Sequence, residues 1–144
     1  MSERQTRLTR ADFRLFRPIQ TRWLDNDAYG HVNNSVYYHY FDTAVNAYLI
    51  ENGLLSVTGS GPIGLVVETA CVFFESVAYP EHLEAGLRIT QLGSSSVRYS
   101  LGIFRLGDDK VAAQGRFVHV YVDRESRRPV PIPEAARAVL AHLI

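Results

Sequence analysis

The chain has one cysteine, no long apolar run and no net charge. A lone Cys71 excludes an intrachain disulfide framework and fits a reducing compartment. It sits inside the apolar run from Val66 to Phe74, so a buried structural thiol is expected. With 15 Lys+Arg against 15 Asp+Glu, the formal net charge is zero. No long-range field therefore draws the chain to nucleic acid or to an anionic membrane surface. No apolar run approaches the roughly 20 residues of a membrane span, and no basic n-region with an apolar h-region opens the sequence. Repeats, linkers and low-complexity segments are missing as well. The 144 residues are therefore expected to form one cytoplasmic domain, 1–144, with a flexible polar arm at 1–11. Zero net charge also gives little colloidal repulsion, which suits a chain that buries surface in an oligomer.

What the sequence does have is a polar knot, Asp25-Asn26-Asp27-Ala28-Tyr29-Gly30-His31-Val32-Asn33-Asn34, between two apolar segments. Before it, Phe13, Leu15, Arg17, Ile19, Thr21 and Trp23 alternate along one face of a strand. Pro18 lacks a ladder donor, which places that strand at an edge or a bulge. After the knot, Tyr37, Tyr40, Phe41, Ala44, Tyr48 and Leu49 fall on one stripe of a helix spanning Ser35 to Asn52. Asn33 or Asn34 supplies its N-cap, and Gly53 stands where a left-handed residue ends it. Its other side carries Ser35, His39, Asp42 and Asn46, facing water or a partner subunit.

From Gly64 onward the sequence reads as successive strands. Leu65 to Tyr79 is apolar on both faces, so a covered or central strand is expected. Pro80-Glu81-His82 turns the chain into an alternating strand from Leu83 to Gln91. Gly93-Ser94-Ser95-Ser96 is the next turn, followed by Val97, Tyr99, Leu101 and Ile103 on one face. Gly107-Asp108-Asp109 predicts a tight hairpin into Val111 to Val122, where Gly115 marks a bulge. Pro133 opens a short final helix whose apolar side is Ala136, Val139, Leu140 and Leu143. Strands joined by short turns run antiparallel, and a long amphipathic helix needs a sheet to cover it. The class is α+β.

The knot is the place for chemistry. A helix start offers unpaired backbone N–H groups and about half a positive charge, which suits an oxygen that becomes negative during attack on a carbonyl. Asp27 lies close enough to act there as nucleophile or as base toward water. Gly30 permits close backbone approach or a positive φ. A plainer reading stands beside this one, in which the acids and amides only hold a turn.

The run from Arg22 to Asn34, with Tyr37 to Phe41 on the following helix, closely resembles the opening signature of the hotdog-fold acyl-CoA thioesterases. More narrowly it resembles the 4-hydroxybenzoyl-CoA thioesterase type. The likeness extends over nearly the whole chain, with Tyr79-Pro80 to Leu87 and Gly93 to Val97 similar to the middle strands. It implies a five-stranded antiparallel sheet wrapped around one long central helix. It also implies hydrolysis of a fatty or aryl acyl-CoA to the free acid and CoA. Asp27 then matches the catalytic carboxylate, and the main-chain amide of Asn34 matches the group that polarises the thioester carbonyl. Asp25 matches a supporting acid. His31 stands at a variable position and either orients Asp27 or a water, or satisfies loop backbone. Gly30, Asn33, Ser94, Ser95 and Ser96 are the expected substrate contacts. Family members place the site between subunits, so a dimer or a dimer-of-dimers tetramer is implied.

In that family the loop between the middle strands can carry basic residues for the CoA phosphates. Here it is the uncharged Gly93 to Ser96, with Arg88 and Arg98 as the neighbouring cations, so the thiol carrier is open between CoA and an acyl carrier protein. No cofactor is expected, CoA being part of the substrate. No metal is expected either, since Asp25, Asp27 and His31 lack further ligands at a suitable spacing. His39 and Asp42, three apart on the helix, are placed to pair across an interface, and an ordinary solvated face explains them equally well. The serines have no nucleophile elbow or adjacent His/Asp. Two rival readings keep the fold: a hydratase-dehydratase acting on enoyl or hydroxyacyl thioesters, and a non-catalytic acyl-thioester binding module.

Overall fold

The computed structural model describes residues 4–56 and 58–144. Its strands are β1 (Leu15–Gln20), β2 (Ile63–Phe73), β3 (His82–Leu92), β4 (Ser96–Arg105) and β5 (Ala113–Val122), with helices α1 (Val36–Glu51) and α2 (Glu134–Leu140). All pairings are antiparallel and the sheet order is β1-β3-β4-β5-β2. The architecture is the expected one: a five-stranded antiparallel sheet packed around a long helix.

The helix stripe is the core. Tyr37, Tyr40, Phe41, Ala44, Tyr48 and Leu49 are all buried, joined by Val45, against Leu83, Leu87, Tyr99, Leu101 and Phe117 of the sheet. Gly53 has a φ of 70°, and Gly53 N–H donates to Ile50 O at 3.0 Å while Leu54 N–H donates to Leu49 O at 2.8 Å. These two bonds close the helix as a Schellman motif, satisfying carbonyls that would otherwise be orphaned. Val97, Tyr99, Leu101 and Ile103 are buried as their alternation predicts.

Several expectations are corrected. The segment read as covered or central is the edge strand β2, bonded to β5 alone, with Val66, Val67 and Phe73 exposed. Its two-faced apolarity belongs to an open edge. The first strand is also shorter than expected: it ends at Gln20, and Trp23 enters a 3-10 turn with its ring 79% exposed. Pro18 does lie on an edge strand. Gly115 is not at a bulge; the register shifts fall between Val66 and Glu68 and between Ile89 and Gln91. A Cβ at Gly115 would lie 2.5 Å from Ala70 O and closer still to the Phe41 ring, so this glycine lets helix and sheet meet.

The polar arm is not loose where it is described, and Met1–Glu3 lie outside the described residues. Gln114 clamps it, its Nε2 donating to Thr6 O at 2.9 Å and its Oε1 accepting from Leu8 N–H at 2.9 Å. The Arg10 guanidinium lies 4.7 Å from the Phe104 ring centroid and pairs with Glu84 at 3.0 Å. Arginine stems cover apolar surface while their heads stay polar, so a polar composition concealed an ordered strap. The same strap widens the β4–β5 connection beyond a tight hairpin. Thr9 bridges Lys110, and Val111 N–H donates to Leu8 O at 3.1 Å.

Candidate active site

The polar knot folds as a cross-bonded loop. Asn26 bridges Val32, Asp27 N–H donates to His31 O at 3.0 Å, and Gly30 N–H returns to Asp27 O at 3.1 Å. Gly30 has a φ of 82° with nothing within 4 Å of a built Cβ, so its need is for positive φ and not for close approach. Val32 N–H donates to Val77 O at 2.8 Å and Tyr79 N–H donates to Asn26 Oδ1 at 2.9 Å, fixing the loop to the chain beyond β2.

The two acids have separate surroundings. Asp25 is fully buried: Oδ2 accepts from Tyr40 Oη at 2.6 Å and from Arg22 N–H at 2.9 Å, and Oδ1 accepts from Arg22 Nε at 3.0 Å. Burial alone would raise its pKa, but the Tyr40 hydroxyl and the Arg22 amide and guanidinium outweigh burial and hold it below the ordinary carboxylate value. Both carboxylate oxygens are taken up by Tyr40 of α1 and by Arg22, so Asp25 ties the loop to the helix and supports structure. Asp27 is half-buried. Its Oδ1 accepts from Tyr29 N–H at 2.8 Å and its Oδ2 from Asn33 Nδ2 at 3.1 Å. The Tyr29 amide is the main cause of a lowered pKa, opposed by partial desolvation and aided by Asn33 and His31. Asp27 is therefore an ionised carboxylate at neutral pH.

Asn33 does two jobs. Its Nδ2 holds Asp27, while its Oδ1 accepts from Ser35 N–H at 3.0 Å and Ser35 Oγ at 2.7 Å. The residue preceding the helix proper is Ser35, but Asn33 satisfies donors at the helix start, so one side chain both orders the start of α1 and holds Asp27. Asn34 is exposed, and its N–H has no protein acceptor among the described residues. His31 Nδ1 lies 3.2 Å from Val32 O, and its ring stacks on Tyr29 at 6.3 Å between centroids.

Asp27, His31, Asn33 and Asn34 line one cavity of about 400 Å³, closed by Tyr37 and by Phe73 to Ser76. Tyr37 is pushed up to about 12 by burial and remains a neutral phenol. The contribution of Phe73 to Ser76 was missing from the sequence reading. These residues end β2, some forty positions from the knot, and no local motif announces them. Glu75 carried the one signal, an acid closing an apolar run; it pairs with Arg7 and with Arg105, each at 3.1 Å.

Ser94, Ser95 and Ser96 are not brought to this cavity within one chain. Ser96 pairs with Val120 at the sheet end where β2 begins, whereas the corner abuts Phe73 at the end where β2 stops. Their backbone is engaged instead: Ser94 O accepts from Ile132 N–H and Ser95 O from Tyr121 N–H, at 2.9 and 2.8 Å. On the helix, Asp42 accepts from Asn46 Nδ2 at 2.9 Å. Cys71 is half-buried, its thiol pushed up to about 12 by burial, so it carries no thiolate. Among the described residues no helix is long and apolar enough to cross a membrane.

A sheet wrapped on one helix, with an ionised aspartate at the helix start, defines a hotdog-fold protein. The chain belongs to the thioesterase-like superfamily, whose family model matches residues 21–140. It is similar to the PA5185 protein of Pseudomonas aeruginosa strain PAO1, with 54% identity over 96% of each chain and a TM-score of 0.93. It is also similar to the PA2801 protein of Pseudomonas aeruginosa, a candidate thioesterase. There the identity is 26%, the coverage 94% of this chain and 99% of that one, and the TM-score 0.81. YsmA, an uncharacterized protein of Bacillus subtilis (strain 168), is 24% identical over 136 residues, 92% of this chain and 89% of the relative.

Proposed function

We propose that this chain hydrolyses an acyl-CoA thioester, with Asp27 as base or nucleophile and the Asn34 N–H as carbonyl activator. The observation that carries the reading is one cavity lined by both Asp27, held ionised, and Asn34, whose N–H has no protein acceptor among the described residues. The thioester carbonyl is already electrophilic, because sulfur donates little electron density into it. Its oxygen accepts from Asn34 N–H at the positive end of α1. Asp27 either attacks the carbonyl carbon or takes a proton from the attacking water. The C–S bond then breaks and the thiolate leaves, taking up the proton that the water gives up. On the nucleophilic route the acyl group first stays on Asp27 as a mixed anhydride, which water hydrolyses to the free acid, restoring the carboxylate. Membership of the thioesterase-like superfamily supports hydrolysis as the reaction class.

The working unit is a dimer joined along β2. That strand is an edge of 11 residues with unpaired backbone groups and exposed Val66, Val67 and Phe73. Phe73 also walls the Asp27 cavity, so a partner laid along this edge would complete it.

Thiol release from saturated acyl-CoA by wild type and by Asp27→Asn tests the reaction. Wild type is expected to release CoA, and the variant to be slower by about 10²–10⁴-fold. Equal release by both proteins would remove Asp27 from the mechanism. No release by wild type across short, medium, long and aryl substrates would remove hydrolysis itself.

A further inference from the structure

The end of β2 is a wall with a cavity on either side. Phe73 turns inward, its ring 4.9 Å from Tyr37, whereas Phe74 lies under the Arg7 guanidinium at 5.5 Å. Both rings line the Asp27 cavity, and both also line a neighbouring one of about 380 Å³ with Arg4, Gln5, Arg7 and Val72. Among the described residues no carboxylate lines that second cavity. Arg7 is engaged, with Glu75 at 3.1 Å and Val111 O at 2.9 Å. Arg4 is exposed and has no partner among the described residues. Gln5 continues into a third cavity, of about 200 Å³, on the outer side of the sheet with Arg98 and Arg116. Arg116 pairs with Glu68 at 2.9 Å, while Arg98 pairs with no acid among the described residues.

The cations that the β3–β4 turn lacks are thus supplied by the amino-terminal strap, directly across Phe73 and Phe74 from the carboxylate. A guanidinium binds phosphate through a planar pair of N–H donors. The lining is concave and suits a small anionic group better than a flat protein surface. Extending the acyl-CoA reading, we propose that Arg4, beside Gln5 and Arg7 in the same cavity, binds the nucleotide phosphates of the CoA thioester. The strap thereby makes CoA, rather than a carrier protein, the handle by which the substrate is held. The pantetheine arm would cross the end of β2 with its thioester beside Asp27.

Arg4 is the residue to change, because it makes no contact that the fold uses. Steady-state kinetics of wild type, Arg4→Ala and Arg4→Lys are compared on one acyl group carried by CoA, by pantetheine and by acyl carrier protein. Arg4→Ala is expected to raise KM for acyl-CoA about tenfold, the scale of a lost charge-assisted hydrogen bond, with kcat unchanged. KM for the pantetheine thioester, which has no nucleotide, stays the same, and Arg4→Lys recovers part of the loss. An unchanged KM on acyl-CoA, an equal rise on pantetheine, or a rise confined to the carrier protein would each overturn the assignment. Calorimetry with adenosine 3′,5′-bisphosphate keeps the test independent of turnover. Wild type is expected to bind this nucleotide and Arg4→Ala to bind it about tenfold more weakly, even if hydrolysis itself fails. Equal binding by the two proteins, or none by wild type, overturns the subsite.

Discussion

The Tyr40 hydroxyl donates to Asp25 Oδ2 across 2.6 Å, joining the core face of α1 to the loop that carries Asp27. Both residues are buried, so removing the hydroxyl leaves a carboxylate short of a donor that water cannot easily replace. Tyr40→Phe is expected to cost about 1–3 kcal/mol in urea unfolding. The pH dependence follows from the lowered pKa of Asp25. Its stabilisation is complete above the unfolded carboxylate value near ~4 and is lost as pH falls through the lower folded value. Without Tyr40 that folded value rises, so the acid-unfolding midpoint of the variant moves to higher pH.

In the proposed mechanism the active form of Asp27 is the carboxylate, held ionised chiefly by the Tyr29 amide. Protonation removes the base or nucleophile, so kcat/KM should fall on the acid side only below the usual carboxylate range. A rate profile flat from neutral pH through the ordinary carboxylate value, and falling only below it, is the expected result. An acid limb at or above the ordinary carboxylate value would remove Asp27 as the group whose protonation stops the reaction.

In the proposed mechanism Asn33 acts through Asp27, as a positioning residue. Asn33→Ala removes the 3.1 Å bond to Asp27 Oδ2 and the acceptor for Ser35 at the helix start. Stability should fall by about 1 kcal/mol, the ordinary loss for a cap. A merely structural role would stop there. The positioning role predicts that kcat falls by more than KM changes, and that the acid limb moves up because a group that lowers the Asp27 pKa is gone.

Most of the frame was legible in the sequence because its signals are periodic. The spacing from Tyr37 to Leu49 gave the buried stripe, Gly53 the helix stop and Pro18 the edge strand. What escaped was long-range. Whether an apolar strand is central or at an edge depends on which strands lie beside it, and β2 alone does not encode that order. The strap from Thr6 to Asp12 looked like a solvated arm because its arginines and threonines are polar. Its order comes from Gln114 and Phe104, far away in sequence, together with the nearby Phe16. At the site, the local knot could be read residue by residue. The wall from Phe73 to Ser76 could not, nor could the distance of the serine turn from Asp27.

Gly115 offers a direct test of the helix–sheet approach. A Cβ there would meet a backbone oxygen, Ala70 O, at 2.5 Å, and neither β2 nor the Phe41 ring has room to yield. Gly115→Ala is expected to destabilise by about 1–3 kcal/mol despite alanine's more restricted unfolded chain. A second change, Phe41→Ala, costs about 3–5 kcal/mol alone. In the double variant the alanine methyl enters the space the ring left, so the two losses should sum to less than their separate values when measured as a double-mutant cycle.

The open edge of β2 leads to the last prediction. Val67 is 60% exposed at the irregular step between Val66 and Glu68, where an edge strand is most accessible. Its side chain contributes little to the monomer core, so Val67→Lys should leave the circular dichroism spectrum and the thermal midpoint of the fold close to wild type. A lysine on a strand edge opposes edge-to-edge pairing, because its charge would be carried into the new ladder. Light scattering behind a sizing column should then report a dimer for wild type and a monomer, or a dimer that dissociates at low micromolar concentration, for the variant. Activity should follow the dimer fraction, since Phe73 both ends this edge and walls the Asp27 cavity. A Val67→Lys protein that remains dimeric would place the interface elsewhere. One that is monomeric and fully active would show that the Asp27 cavity is complete within a single chain.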